Sequence, residues 1–81
     1  MDRTEQVVVV TGASGGIGRA TARAFGARGA KVALLARGED GLQHAAKEVE
    51  GAGGTALAIP VDVADHERLD EVADRVQREL G

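Results

Sequence analysis

Eighty-one residues with a formal charge of -3 make one small domain at most, and the charge argues against general affinity for nucleic acid or an anionic membrane. A chain this short buries only about 60–65% of its unfolded surface, and its apolar residues are mostly Ala, Val and Leu, with one Phe, one Met and no Trp or Tyr. The absence of cysteine excludes disulfides, thiolate metal sites and cysteine nucleophiles.

The opening residues, Met1 to Gln6, are polar. Val7–Val10 is too short an apolar run for a signal-peptide core or a membrane span, so a cytoplasmic protein is expected. Gln6–Thr11 reads as the first strand; its valines do not alternate with polar residues, the pattern of a strand covered on both faces. Ile17 to about Arg28 reads as the first helix, with Ile17, Ala20, Thr21, Ala24 and Phe25 on one face and Gly29 as its stop. Lys31–Ala36 is the second strand, again apolar without alternation. Glu39 to about Ala52 is the second helix, with Leu42, Ala45, Ala46 and Val49 on one face and acids in its first turn. Thr55 to about Val61 is the third strand, which Pro60 marks as an end or an edge. Asp65 is placed to cap the third helix, His66–Leu80, whose stripe is Leu69, Val72, Ala73, Val76 and Leu80. No linker, low-complexity tract or sequence repeat interrupts this order.

Strands alternating with helices imply an α/β fold with a parallel sheet and right-handed crossovers. The expected strand order is 3-2-1, with the first two helices on one face and the third on the other. In a doubly wound sheet a fourth strand would then lie beside the first. Without it the first strand is an open apolar edge, an association hazard. The expectation is therefore an incomplete doubly wound domain, residues 1–81, truncated before strand four.

Thr11–Gly18, reading Thr-Gly-Ala-Ser-Gly-Gly-Ile-Gly, joins the first strand to the first helix. Strand, glycine-rich turn and helix together aim backbone N–H groups, and the positive end of the helix dipole, at a phosphate. Gly12 lets the chain leave the strand sharply, and Gly16 and Gly18 remove side chains that would hold a pyrophosphate or a neighbouring strand at a distance. A dinucleotide-binding turn is the reading these residues favour over a turn that binds nothing. A Walker P-loop is excluded, because no Gly-Lys-Ser/Thr occurs.

The same stretch resembles the Thr-Gly-x-x-x-Gly-x-Gly fingerprint of the short-chain dehydrogenase/reductase family, through Thr11, Gly12, Gly16 and Gly18. Ala33–Arg37 and Val61-Asp62-Val63 extend the resemblance in the right order over the whole chain. Gly15 also permits Gly-x-x-Gly-x-x-Gly, the pattern of a longer epimerase-like branch, but the Gly-Ile-Gly-Arg-Ala run and Val-Asp-Val look more like the compact branch.

The resemblance implies a Rossmann-like sheet and a nicotinamide cofactor. The turn amides and the Ser14 hydroxyl would hold the pyrophosphate, with the Ile17 backbone beside it. Asp62 would accept from the adenine amino group, and Val63 would line the adenine pocket. At the end of the second strand, where an NAD site places a carboxylate for the ribose 2′-OH, this chain has Ala36 followed by Arg37. That substitution points to NADP, with NAD less favoured, since Arg37 offers a planar fork to a 2′-phosphate. Plainer readings stand beside these: Ser14 in a local turn hydrogen bond, Arg37 solvated, Asp62 a turn acid, Arg19 supporting the turn or solvated. His44 and His66 are expected at the surface.

The family's reaction moves hydride between a nicotinamide and a carbonyl or alcohol carbon, with a Tyr as acid/base aided by Lys, Ser and Asn. This chain has no Tyr and no Asn, so it is expected to carry no catalytic residue of that set. Three readings follow. The first is the NADP-binding portion of a short-chain oxidoreductase with a small carbonyl or alcohol substrate, a homo-oligomer when complete. The second is a stand-alone nucleotide-binding or regulatory module. The third is a half domain completed by another chain at the edge of its first strand.

Overall fold

The computed structural model describes residues 6–81; the polar opening, residues 1–5, lies outside the described residues. The elements are β1 (Val7–Thr11), α1 (Gly16–Ala27), β2 (Lys31–Ala36), α2 (Glu39–Ala52), β3 (Thr55–Pro60) and α3 (His66–Leu80). The strands form one parallel sheet in the order β1-β2-β3, which is the expected 3-2-1 order read from the other edge. Register is set by pairs such as Val10 with Leu34 and Leu34 with Ala58. β3 stops at Pro60, one residue short of the expected end, on the outer edge where a residue without an N–H is tolerated.

β2 is the centre of the molecule, and its uninterrupted apolar run follows from that position. Val32, Leu34 and Ala36 point to one face and pack with Leu42, Ala45 and Val49 of α2 and Ala22 of α1. Ala33 and Leu35 point to the other face and pack with Ile59, Val72, Val76 and Leu80. The sheet is thus covered by α1 and α2 on one side, where right-handed crossovers along β1-β2-β3 place them, and by α3 on the other.

The expected face of α1 is not the one buried. Ile17 is 86% exposed, and Ala20 and Ala24 are exposed as well. The inward positions are Gly18, Ala22 and Gly26, with Thr21 and Phe25 partly covered. Small residues four apart allow α1 to lie against its neighbours; a Cβ at Gly26 would meet Val49 at 3.0 Å. α2 buries the stripe its sequence predicts. α3 does so except at Ala73, which is exposed.

β1 also departs from the expectation of cover on both faces. Val10 is buried, but Val9 is 51% exposed. α3 packs over β2 and β3, and it leaves an apolar trough of about 480 Å³ against β1, lined by Val7, Val9, Leu69 and Ala73 among others. At the far end of α3, Lys31 Nζ donates to the Leu80 carbonyl at 3.3 Å, a cation at a helix C-terminus.

Candidate cofactor-binding site

The turn after β1 is fixed by its backbone. Gly12 and Gly16 have φ of 64° and 58°, the left-handed region that costs other residues roughly 1–2 kcal/mol. Between them, Ala13 is fully buried and donates its N–H to the Leu35 carbonyl at 3.2 Å, tying the turn to β2. Gly18 is required by proximity: a Cβ there would collide with the Gly12 carbonyl oxygen and lie 3.1 Å from that of Thr11. Gly15 is different. Its φ of -169° is ordinary extended backbone, and a Cβ there meets nothing. The geometry therefore singles out Gly12, Gly16 and Gly18, the spacing of the compact pattern.

α1 begins with Gly15 as its N-cap, with no side-chain capping bond and no acid in its first turn. The amides of Gly16, Ile17 and Gly18 precede the first intrahelical bond, from the Arg19 N–H to the Gly15 carbonyl. The other helices start differently. α2 carries Glu39 and Asp40 in its first turn, and α3 has Asp65 accepting from the Arg68 N–H at 3.2 Å, with Glu67 behind it. α1 alone among the three combines free amides with an uncompensated positive dipole end, the arrangement that suits an anion.

Beside this turn, at the C-terminal ends of the strands, lies a cleft of about 270 Å³ lined by Gly12, Ser14, Arg37, Asp62 and Val63, together with Ala36, Gly38 and Val61. It brings together five of the eight residues expected from the sequence. Gly16, Ile17 and Gly18 stand apart from the cleft wall, on the first turn of α1. The Ser14 hydroxyl makes no side-chain hydrogen bond among the described residues, so the local-turn reading of it has no support. Gly41 matters to its placement: a Cβ there would lie 2.7 Å from Ser14 Cβ, so α2 seats directly against the turn.

Arg37 and Asp62 face each other, with Nε 3.9 Å from Oδ2. The other carboxylate oxygen of Asp62 accepts the Ala64 N–H at 2.9 Å, which pins the acid in the loop before α3. Val63 is 48% exposed, leaving an apolar side chain free at the rim. A second, open cleft of about 340 Å³ adjoins, where Arg37 and Asp62 meet Asp65 and Arg68. Arg68 is engaged there by Glu71 at 3.3 Å.

Arg19 neither supports the turn nor stands in solvent. Its Nε and Nη2 donate to both oxygens of Glu48 at 2.8 and 2.9 Å, clamping α1 to α2. The Arg19 hydrogen bond holds the Glu48 carboxyl below the ordinary range, against a smaller opposing effect of desolvation. His44 and His66 are exposed. Among the described residues no group of three or more His, Asp or Glu is arranged to hold a metal. No helix there is long and apolar enough to cross a membrane.

Residues that sequence reasoning did not bring to the site are Ala13, Gly38, Gly41 and Val61. Val61 is buried and donates its N–H to the Ala36 carbonyl at 2.8 Å, closing the cleft floor between β2 and β3. Val61 opens the Val61-Asp62-Val63 run but brings no polar side chain to it, and Ala13, Gly38 and Gly41 carry no chemical signal in the sequence; each of the four acts through backbone or volume.

A parallel βαβαβα unit with a glycine turn after its first strand and a polar cleft at its strand ends defines a Rossmann-like α/β module. Residues 6–81 match the family model described as short chain dehydrogenase, and the chain belongs to that family. It is 38% identical over 81 residues to a fatty acyl-CoA reductase of Mycobacterium tuberculosis, an alignment covering 100% of this chain and 28% of the reductase. An L-sorbose reductase of Gluconobacter frateurii, solved with NADPH and L-sorbose, superposes with a TM-score of 0.86 at 42% identity, over 94% of this chain and 29% of that one. A xylitol dehydrogenase with NAD+ bound superposes with a TM-score of 0.90 at 35% identity, over 95% of this chain and 30% of that one. The chain thus spans under a third of the length of these relatives.

Proposed function

We propose that this chain is the NADP-binding portion of a short-chain oxidoreductase acting on a small carbonyl or alcohol compound. The observation that carries the reading is one cleft in which the glycine turn, at Gly12 and Ser14, and the Arg37 side chain open on the same space. When bound, the nicotinamide cofactor supplies the chemistry, as hydride donor or acceptor for a carbonyl or alcohol carbon.

The chain's own residues bind and orient. The amides of Gly16, Ile17 and Gly18 and the Ser14 hydroxyl would hold the pyrophosphate, with Gly12 turning the main chain clear of it. Asp62 would accept from the adenine amino group, and Val63 would cover the ring with apolar surface. Arg37 would take the ribose 2′-phosphate through charge-assisted hydrogen bonds, with no carboxylate at Ala36 to repel it.

The fold is shared with one relative solved with NADPH and with another solved with NAD+. The choice of NADP therefore rests on Ala36 and Arg37 rather than on overall likeness. Proton transfer to the substrate is assigned to residues outside these 81, since none of them is a Tyr or an Asn.

The test is Arg37→Ala in the full-length protein, titrated calorimetrically with NADPH and NADH. Affinity for NADPH falls by roughly 10- to 150-fold, the weight of one charge-assisted hydrogen bond of about 1.5–3 kcal/mol. NADH is left nearly unchanged. Equal loss of both cofactors removes the 2′-phosphate assignment.

A further inference from the structure

Arg37 is not idle. Its Nε lies 3.9 Å from Asp62 Oδ2, beyond hydrogen-bonding range but within ion-pair range, with the two side chains 82% and 51% exposed. Asp62 is held through its other oxygen by the Ala64 N–H at 2.9 Å, whereas Arg37 makes no hydrogen bond among the described residues and is the more exposed of the two.

The surrounding charges are committed elsewhere. Asp65 caps α3, Arg68 is paired with Glu71, and Glu39 and Asp40 sit in the first turn of α2. Asp62 is therefore the carboxylate that faces Arg37 across the mouth of the cleft.

We infer that Asp62 sets the cleft's preference for a 2′-phosphate by competing with that phosphate for Arg37. It is a positioning residue acting through the arginine, in addition to any contact of its own with the adenine. The inference rests on the reading of Arg37 as the 2′-phosphate ligand. A cofactor with a free 2′-OH leaves the Arg37–Asp62 pair intact. One with a 2′-phosphate draws Arg37 away and sets its own negative charge near a carboxylate held in place by the Ala64 N–H. Asp62 thus narrows the gap between the two cofactors, and the cleft is less selective than Arg37 alone would make it.

The experiment measures the ratio of affinities for adenosine 2′,5′-bisphosphate and 5′-AMP, by calorimetry on the full-length protein. Variants are Asp62→Asn, Arg37→Ala and the double substitution. Asparagine keeps the acceptor for the Ala64 N–H and removes the charge. Loss of an adenine contact weakens both ligands alike and cancels in the ratio. In Asp62→Asn the ratio rises in favour of the bisphosphate by roughly 1.5- to 5-fold, the span of one exposed ion pair. The rise shrinks in high salt and vanishes when Arg37 is already alanine. A ratio that stays constant or falls in Asp62→Asn, while Arg37→Ala still weakens only the bisphosphate, overturns the inference and leaves the cofactor reading standing. If Arg37→Ala weakens both ligands equally, the cofactor reading itself fails and the inference falls with it.

Discussion

Replacing Gly18 by alanine drives a methyl group into the main chain of the preceding turn. The added Cβ collides with the Gly12 carbonyl oxygen, lies 2.9 Å from the Gly12 carbonyl carbon and 3.1 Å from the Thr11 oxygen. All three are backbone atoms, one from the last residue of β1 and two from the turn that follows it, so no side chain can swing aside. The start of α1 must move outward instead. Forced overpacking of this kind costs about 1–3 kcal/mol. The same shift displaces the amides of Gly16, Ile17 and Gly18, and losing even one charge-assisted bond of about 1.5–3 kcal/mol weakens a phosphate ligand at least 10-fold. Urea unfolding and calorimetric titration with NADPH, both on the full-length protein, read the two effects. Gly15→Ser is the control: that position is extended and open, and serine is favoured at a helix N-cap, so stability holds or rises. A Gly18→Ala protein as stable as the parent, binding NADPH as tightly, would refute the close approach of α1 to the turn.

Other changes probe the turn, the core and the helix clamp. Gly12→Val places a β-branched residue at φ 64°, at a cost of about 1–2 kcal/mol, and abolishes binding of both nicotinamide cofactors by calorimetry; retained binding counts against the cradle. Leu34→Ala empties the middle of the central strand, where Leu34 is fully buried, and lowers the urea-unfolding free energy by about 2–5 kcal/mol. A loss under ~1 kcal/mol would mean that β2 is not the centre of a packed core. Glu48 carries a depressed carboxyl pKa, caused first by its hydrogen bond from Arg19. A depressed folded value contributes stability that is present above the unfolded pKa and lost as pH falls through the folded one. The thermal midpoint should therefore fall below pH 4.5, the carboxyl's ordinary value, by more in the parent than in Glu48→Gln. Parallel pH profiles would show that the clamp contributes nothing.

Much of the fold is legible in the sequence for a physical reason. β2 is apolar at Val32, Ala33, Leu34 and Leu35 because both its faces are covered, and such runs announce themselves. α2 and α3 bury branched side chains at helical spacing, which periodicity detects. α1 is less legible, because its inward face is built on Gly18, Ala22 and Gly26. Glycine has no hydrophobic signal, and its value here is how near another backbone can come. The apolar periodicity that includes Ile17 is therefore rotated away from the side that packs, with only Thr21 and Phe25 partly covered.

Pairs distant in sequence were equally hidden. Arg19 meets Glu48 across 29 positions, and only the packing of α1 on α2 brings them together. In the cleft, residue types that announce chemistry (the glycines, Ser14, Arg37, Asp62) could be read from spacing. The mutual attraction of Arg37 and Asp62 depends on how β2 and β3 are paired, and it became visible only with the sheet in place.

A side-by-side calorimetric titration of the unmodified full-length protein with NADPH and NADH bears on the cofactor assignment without any substitution. Both bind saturably, NADPH the tighter. No heat with either, or a tighter fit for NADH, rules out a 2′-phosphate site at Arg37.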